Sequence, residues 1–258
     1  MSRVLYQFPL SHYCEKARWV LDHKSVPYRV YNQLPGPHAW FNRLRSGSPT
    51  VPVLVEHGQA ISGSHAIALH LEGLDDRARL LPRSAAARAL LDEIVHQFDD
   101  IVGPAVRRYV YGLITPNVGM FRDTFFRGYG PVARTLSVAM ALPVSKVIAS
   151  MYDVQAPSNR ASPDLMRAAA DRIEARLGDG SRYLLDDELS LADITVASLL
   201  GPVTGPPDSP WAFELDVPEF RALRSEFRAR PIGQYIADQY ATRFRRGNAP
   251  RGAGSASD

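Results

Sequence analysis

Cysteine is all but missing from this 258-residue chain. A lone Cys14 excludes an intrachain disulfide, a zinc-cysteine cluster and any dithiol mechanism, and with them the small secreted disulfide scaffold. A reducing, cytoplasmic setting is the expectation. Lysine is nearly as scarce, since of 30 basic residues only Lys16, Lys24 and Lys146 are lysine. A bias spread over the whole chain reads as the composition of a GC-rich bacterial genome, because no phosphate site demands it. The net charge is only +3 and its cations are scattered, so no nucleic-acid partner is expected. The start, Met1-Ser2-Arg3-Val4, moves straight into a strand-like run, and no signal peptide is expected. Leu136 to Met151 is the most apolar run, but Pro143 and Lys146 interrupt it. It is read as short of the ~20 residues a spanning helix requires, which predicts no membrane partner. No metal site is expected.

What is present is ordinary for a folded chain: 45% hydrophobic and 22% charged residues, with length for about one to two domains. Val4 to Phe8 is a β-rich run stopped by Pro9, and Ser11 to His23 places Ala17, Val20 and Leu21 at helical spacing. Val26 to Val30 predicts a second strand. Val51 to Val55 and Ala60-Ile61 predict a hairpin turning on Gly58, and Ser64 opens a helix carrying Ile67 and Leu71. The order βαβ, a loop-rich stretch, then ββα fits a small mixed sheet with helices packed on it. Past Leu81-Pro82 no strand signal returns. Leu90, Leu91, Ile94, Val95, Phe98, Ile101 and Val102 form the stripe of a long helix. Further helices are predicted over Pro131–Met151, Pro163–Leu177, Leu191–Leu200, Pro218–Ala229 and Ile232–Phe244, with breaks at Gly119, Gly128–Pro131 and Gly201–Pro210.

Ser11-His12-Tyr13-Cys14 sits where the first strand hands over to the first helix. Residue 11 there faces unpaired N–H groups at the positive end of the helix, a position that stabilises an anion. Ser11-x-x-Cys14-Glu-Lys-Ala-Arg18, then Thr50-Val51-Pro52-Val53-Leu54, then Ser62-Gly63-Ser64-His65-Ala66-Ile67 resembles the N-terminal domain of the cytosolic glutathione transferases. Tyr183-Leu-Leu185, Ser190-Leu191-Ala192-Asp193-Ile194 and Arg230-Pro231 are similar to that family's helical domain. The resemblance leaves out residues about 112–160 and the tail.

The resemblance implies a thioredoxin-like α/β domain at 1–74 that binds glutathione and an all-α C-terminal domain at 83–246; residues 247–258, rich in Gly, Ala and Ser, read as a disordered tail by composition. It implies that Pro52 is a cis-proline whose neighbour Val51 turns its backbone to an extended peptide, and that Ser64 takes the γ-glutamyl carboxylate. Ser11 then meets the sulfur as the catalytic hydroxyl. The family's acidic residue before the serine that matches Ser64 is replaced here by Gly63, so Asp99 or Asp100 of a second subunit is expected to hold the ligand's ammonium. The tyrosine of other classes is replaced by Gln7, with Tyr6 and Tyr13 in reserve. The implied function is conjugation of glutathione, as cosubstrate, to a small hydrophobic electrophile by a homodimer with a role in detoxification. A non-catalytic glutathione- or ligand-binding protein on the same fold is the alternative. A glutathione-dependent reductase or peroxidase would want cysteine at position 11. The plainer readings make Ser11 a helix N-cap, Cys14 a buried core residue, Arg107-Arg108 a solvated face, and Tyr109, Tyr111, Phe121, Phe125, Phe126 and Tyr129 core aromatics.

Overall fold

The computed structural model describes residues 3–74, 78–154, 157–177, 181–185 and 187–245; the expected tail at 247–258 lies outside them. Four short strands, β1 (Val4–Gln7), β2 (Arg29–Asn32), β3 (Val53–Glu56) and β4 (Gln59–Ser62), form a mixed sheet in the order β2-β1-β3-β4. β1 runs parallel to β2 and antiparallel to β3, and β3 to β4 is the expected hairpin. His57 and Gly58 both take positive φ at its turn, 50° and 82°, as a two-residue turn between twisted strands requires.

The second strand begins later than Val26. Pro27 has no N–H to give a ladder, and the Val26 N–H closes the preceding helix on the Leu21 carbonyl at 3.0 Å, so pairing starts where the Arg29 N–H reaches the Arg3 carbonyl at 2.9 Å. The stretch read as loop-rich contains a helix, α2 (Pro37–Ser46), entered through Gly36 and closed by Gly47 at φ 76°. Its apolar residues do not face a core. Trp40, Phe41 and Leu44 are exposed and only Asn42 is buried, although their i, i+1, i+4 spacing is that of a helix face.

α1 (His12–His23) and α3 (Ser64–Glu72) pack together on the sheet. The rest is helical: α4 (Ala85–Gln97), α5 (Gly103–Ile114), α6 (Val118–Phe125), α7 (Pro131–Met151), α8 (Pro157–Arg160), α9 (Ser162–Arg176), α10 (Leu191–Thr204), α11 (Pro218–Ala229) and α12 (Pro231–Arg245). α4 and α5 are joined by a π-helical turn, Phe98–Val102, with helical backbone on both sides. Pro104 cannot donate to the Asp100 carbonyl, and a widened turn is one way a helix absorbs that lost bond.

α10 is buried along its whole length and lies against α1. Each large side chain it buries is worth about 1.5–3 kcal/mol. One hydrophobic cluster therefore runs through both parts of the chain, from Leu5, Trp19 and Leu54 to Leu199, Phe227 and Tyr240. The expected cap is present: Ser190 and Asp193 exchange bonds, and the Asp193 carboxylate also accepts from the Leu184 N–H at 2.8 Å and the Tyr235 hydroxyl at 2.5 Å. Four donors, the Ser190 hydroxyl included, converge on this one buried carboxylate.

The expected break at Gly119 is absent, and the one over Gly201–Pro210 begins only at Gly205. Gly119 lies inside α6, which Asn117 caps by accepting the Met120 N–H at 3.0 Å. α10 continues through Gly201 and Pro202 because Trp211 packs where a side chain at 201 would stand, and Arg224 takes the Pro202 and Val203 carbonyls at 2.7 and 3.1 Å. α7 likewise continues through Pro143. Its 21 residues make it the one helix among those described that is long and apolar enough to cross a membrane by length and composition, which overturns the expectation that this run is too short. It packs on α6 through Ser137, Ala141, Ser145 and Ile148, leaving Val132, Val138, Val147 and Met151 outside.

Candidate active site

The register brings three chain segments to one end of the sheet. β1 ends beside the start of β3, with Tyr6 opposite Val53, and β4 ends beside the same residue, with Ser62 opposite Val53. Ser11 after β1, Val51-Pro52 before β3 and Gly63-Ser64 after β4 therefore leave the sheet together.

Ser11 is the N-cap of α1, and its Oγ accepts the Cys14 N–H at 3.3 Å. Capping uses a lone pair. Among the described residues the further partner of the Ser11 hydroxyl is the Cys14 thiol, a weak acceptor. Cys14 is fully buried, and burial pushes its thiol up against the opposing effect of the Ser11 hydroxyl. The loop before Ser11 is held from the helical part of the chain. Trp211 donates its indole N–H to the Leu10 carbonyl at 3.3 Å, and Phe125 meets Phe8 edge-on at 5.9 Å. Gly128 comes so close that a Cβ there would lie 2.8 Å from Pro9.

The Val51–Pro52 peptide is cis, as the resemblance implied. The Pro52 carbonyl accepts the Gly63 N–H at 2.9 Å, whereas the Val51 N–H and carbonyl have no backbone partner among the described residues. Asn42 sets this segment from behind: its buried amide exchanges two 2.9 Å bonds with Gln33 and donates to the Thr50 carbonyl at 3.0 Å. Nothing in the spacing of the sequence singled it out, because its partner is a loop that only the fold brings near. Ser64 is the first residue of α3 and buried, and its hydroxyl has no partner among the described residues. Gly63 before it has φ 92° and ψ 141°, a region essentially confined to glycine. Space is open where its Cβ would go. Backbone conformation, as well as a missing carboxylate, therefore distinguishes this position.

The π-turn lies against α1. Tyr13 donates its hydroxyl to the Asp99 carbonyl at 2.6 Å, and Gly103 leaves the room that the Tyr13 ring fills. Burial pushes the Tyr13 phenol well up, so it is a poor source of a reactive phenolate. Tyr6, the other reserve, packs on Tyr31 at 5.3 Å under the Arg45 guanidinium at 4.2 Å. Gln7 is buried and tied to Asn32 and Arg18. The Asp99 carboxylate is taken by Lys16 of its own chain, at 2.7 and 2.8 Å, which corrects the expectation that it faces another subunit. Asp100 points outward, 60% exposed, with His96 at 2.6 Å. His12 lies tilted against Tyr13, ring centroids 4.5 Å apart. Burial and then the Arg107 charge lower its pKa to about 3, which keeps the imidazole neutral. His65 on α3 is also lowered, chiefly by burial.

Beyond Tyr13 the wall is aromatic. Tyr111 lies 5.3 Å from Tyr152, and Phe121, Phe125, Phe126 and Tyr129 form a second buried cluster with Ile114 and Phe220. Tyr129 donates to the Gln33 carbonyl at 2.8 Å. Arg107 is not on a solvated face: its Nε is buried and its guanidinium lies 4.3 Å from the Tyr152 ring and 5.8 Å from that of Tyr13.

The mixed four-stranded sheet with a cis-proline before β3, followed by an all-helical part, defines a thioredoxin-like domain joined to an all-α domain. Family models described as the N-terminal and C-terminal domains of glutathione S-transferase match residues 5–79 and 138–231. The chain belongs to the glutathione S-transferase family. No curated protein matches it. Similar solved structures include FzlA from C. crescentus, 22% identical over 92% of both chains with a TM-score of 0.55. A glutathione S-transferase from Rhodospirillum rubrum F11 is 23% identical over 91% of both chains, TM-score 0.53. A glutathione S-transferase of Ceriporiopsis subvermispora, solved in complex with glutathione, is 21% identical over 94% of this chain and 96% of its own, TM-score 0.58. At these identities the likeness is one of fold.

Proposed function

We propose that this protein is a glutathione transferase that joins glutathione to a small hydrophobic electrophile, with residues 1–74 binding the tripeptide and 83–246 forming most of the electrophile pocket. The observation that carries the reading is unused hydrogen-bonding capacity at one end of the sheet. The Val51 backbone pair, the Ser64 hydroxyl and the Ser11 hydroxyl hydrogen are left without strong partners among the described residues. Val51 suits an extended peptide backbone. Ser64 at the start of α3 suits the γ-glutamyl carboxylate, and Ser11 suits a thiolate at the positive end of α1.

Ionisation alone is a modest gain. Lowering a thiol of pKa about 8.5 by ~2 units takes about 2.7 kcal/mol of preferential stabilisation. It raises the ionised fraction roughly tenfold, while nucleophilicity falls along a slope of about 0.4–0.5. Holding the electrophile beside the sulfur supplies the larger share of the rate. The glutathione-bound relative supports the ligand, and the family supports the reaction type.

Calorimetric titration with glutathione tests the reading. Binding in the micromolar to millimolar range is expected, as is a dimer by light scattering, with Asp100 of one subunit near the other's ligand ammonium. No binding at ~10 mM, well above typical KM values, would leave the non-catalytic binding protein. The glycine at position 63 is the observation favouring that second reading, because it removes a carboxylate from the ligand's amino end.

A further inference from the structure

Arg107 on α5 carries a charge that no carboxylate among the described residues offsets. Lys16 has Asp99, Arg18 has Glu15, and Arg243 has Glu15 and Asp22. Arg107 has no hydrogen bond and no carboxylate within ion-pair distance among the described residues, and its buried Nε–H is unsatisfied. A guanidinium so placed has lost part of its hydration without replacement, an arrangement that costs free energy until an acceptor arrives. Its neighbours give it shape as well as charge. It lies over Tyr152 at 4.3 Å, and Tyr152 leads to Tyr111 at 5.3 Å. On the other side is Tyr13 at 5.8 Å, and its charge is felt by His12, the residue after Ser11.

We infer that Arg107 is the specificity-determining residue for the second substrate, and that this substrate is an aromatic electrophile carrying a carboxylate or similarly planar anionic group. The inference rests on the transferase reading for the reaction and on the geometry of Arg107 for the substrate. The aromatic ring packs among Tyr13, Tyr111 and Tyr152, while the carboxylate accepts paired N–H bonds from the guanidinium, which matches its fork as no lysine would. His12, being neutral, does not compete for the anion, and the Asp99 carboxylate, held by Lys16, does not compete for the guanidinium. In a chloroarene the glutathione thiolate forms the new C–S bond at the carbon bearing chlorine, chloride leaves with the C–Cl electron pair, and the thiol proton goes to solvent. Anchoring the carboxylate at Arg107 fixes which carbon meets the sulfur.

The test compares 4-chloro-3,5-dinitrobenzoate with its methyl ester, each corrected for the uncatalysed reaction. The full-length protein is expected to show a kcat/KM preference for the acid of roughly tenfold to a hundredfold, the range of a hydrogen bond to a charged group. Arg107→Leu should bring the ratio close to one, and Arg107→Lys should restore only part of it. Direct titration of the acid and the ester into the unaltered protein repeats the comparison without turnover and without a variant. Equal handling of acid and ester by the unaltered protein, or an Arg107→Leu ratio unchanged from it, overturns the inference. Loss of the transferase reading is distinguishable: glutathione then fails to bind or no conjugate forms, while tighter, Arg107-dependent binding of the acid still upholds the anion site.

Discussion

Lys16 Nζ and the Asp99 carboxylate meet at 2.7 and 2.8 Å, with the lysine wholly out of solvent and the aspartate partly buried. This pair ties α1, which carries Ser11, to the π-turn between α4 and α5. Burial lowers the Lys16 pKa against the opposing pull of Asp99, so the pair holds only while both members remain.

Asp99→Asn is therefore expected to leave a buried ammonium unpaired and to cost about 3–5 kcal/mol of unfolding free energy. Asp100→Asn, one residue on and exposed, should change stability by less than about 0.5 kcal/mol. Denaturant unfolding of the two variants checks this. Equal effects would mean that the pair contributes nothing to holding α1. Lys16→Met combined with Asp99→Leu should recover much of the loss, because removing both charges removes the desolvation cost too.

Ser11→Ala should act at two levels. Losing the N-cap costs about 1 kcal/mol of stability. Losing the hydroxyl should lower kcat with a generic electrophile far more than it weakens glutathione binding, with the ultraviolet-detected pKa of the bound thiolate moving up. A variant whose kcat and thiolate pKa are both unaltered would confine Ser11 to capping.

Gly63 separates strain from charge. Gly63→Ala is expected to cost about 1–3 kcal/mol, because φ 92° and ψ 141° suit glycine although the space is open. Gly63→Glu bears the same backbone cost. Set against Gly63→Ala, it should bind glutathione more tightly, by up to about 1.5–3 kcal/mol for a charged hydrogen bond of good geometry. Calorimetry on the two variants side by side reads the difference. No gain over the alanine variant would mean that the ammonium is already held, for instance by Asp100 of a second subunit.

His12 should make the fold acid-sensitive. Its folded-state pKa is lowered to about 3 by burial and by Arg107, below the ordinary value near 6.5, so the unfolded chain binds the extra proton. The contribution is fully present above pH 6.5 and is lost as pH falls from there towards 3, by at most about 1.4 kcal/mol per pH unit. His12→Gln should flatten stability against pH in that window relative to the unaltered protein. Parallel curves would show that the imidazole titrates alike in both states.

Much of the fold is written in local pattern. Ser11, Ser190 with Asp193, and the Gly58 turn are short-range devices, since a cap or a two-residue turn is settled by residues a few positions apart. The cis-proline and the order of the domains were legible through the family motifs. α2 was not, because Pro35-Gly36-Pro37 at its start and Gly47 after it read as loop, and its single buried side chain, Asn42, serves a segment eight residues on. The continuity of α10 was hidden as well, because Gly201 and Pro202 are breakers until Trp211 and Arg224 pack against them.

The site divides the same way. The sequence by itself determined which residues could cap, turn or present a backbone to a ligand, because those roles depend on residue type and nearest neighbours. Only the tertiary structure decided which charges were already taken. Asp99 and Asp100 are adjacent and chemically alike, yet one turns in to Lys16 and the other out to solvent. Arg107 and Arg108 are identical, yet Arg107 lies across Tyr152 with a buried, unsatisfied N–H. An ionic partner is fixed by where helices cross, and the α1 contact with the π-turn joins residues more than eighty positions apart, beyond the reach of any local pattern.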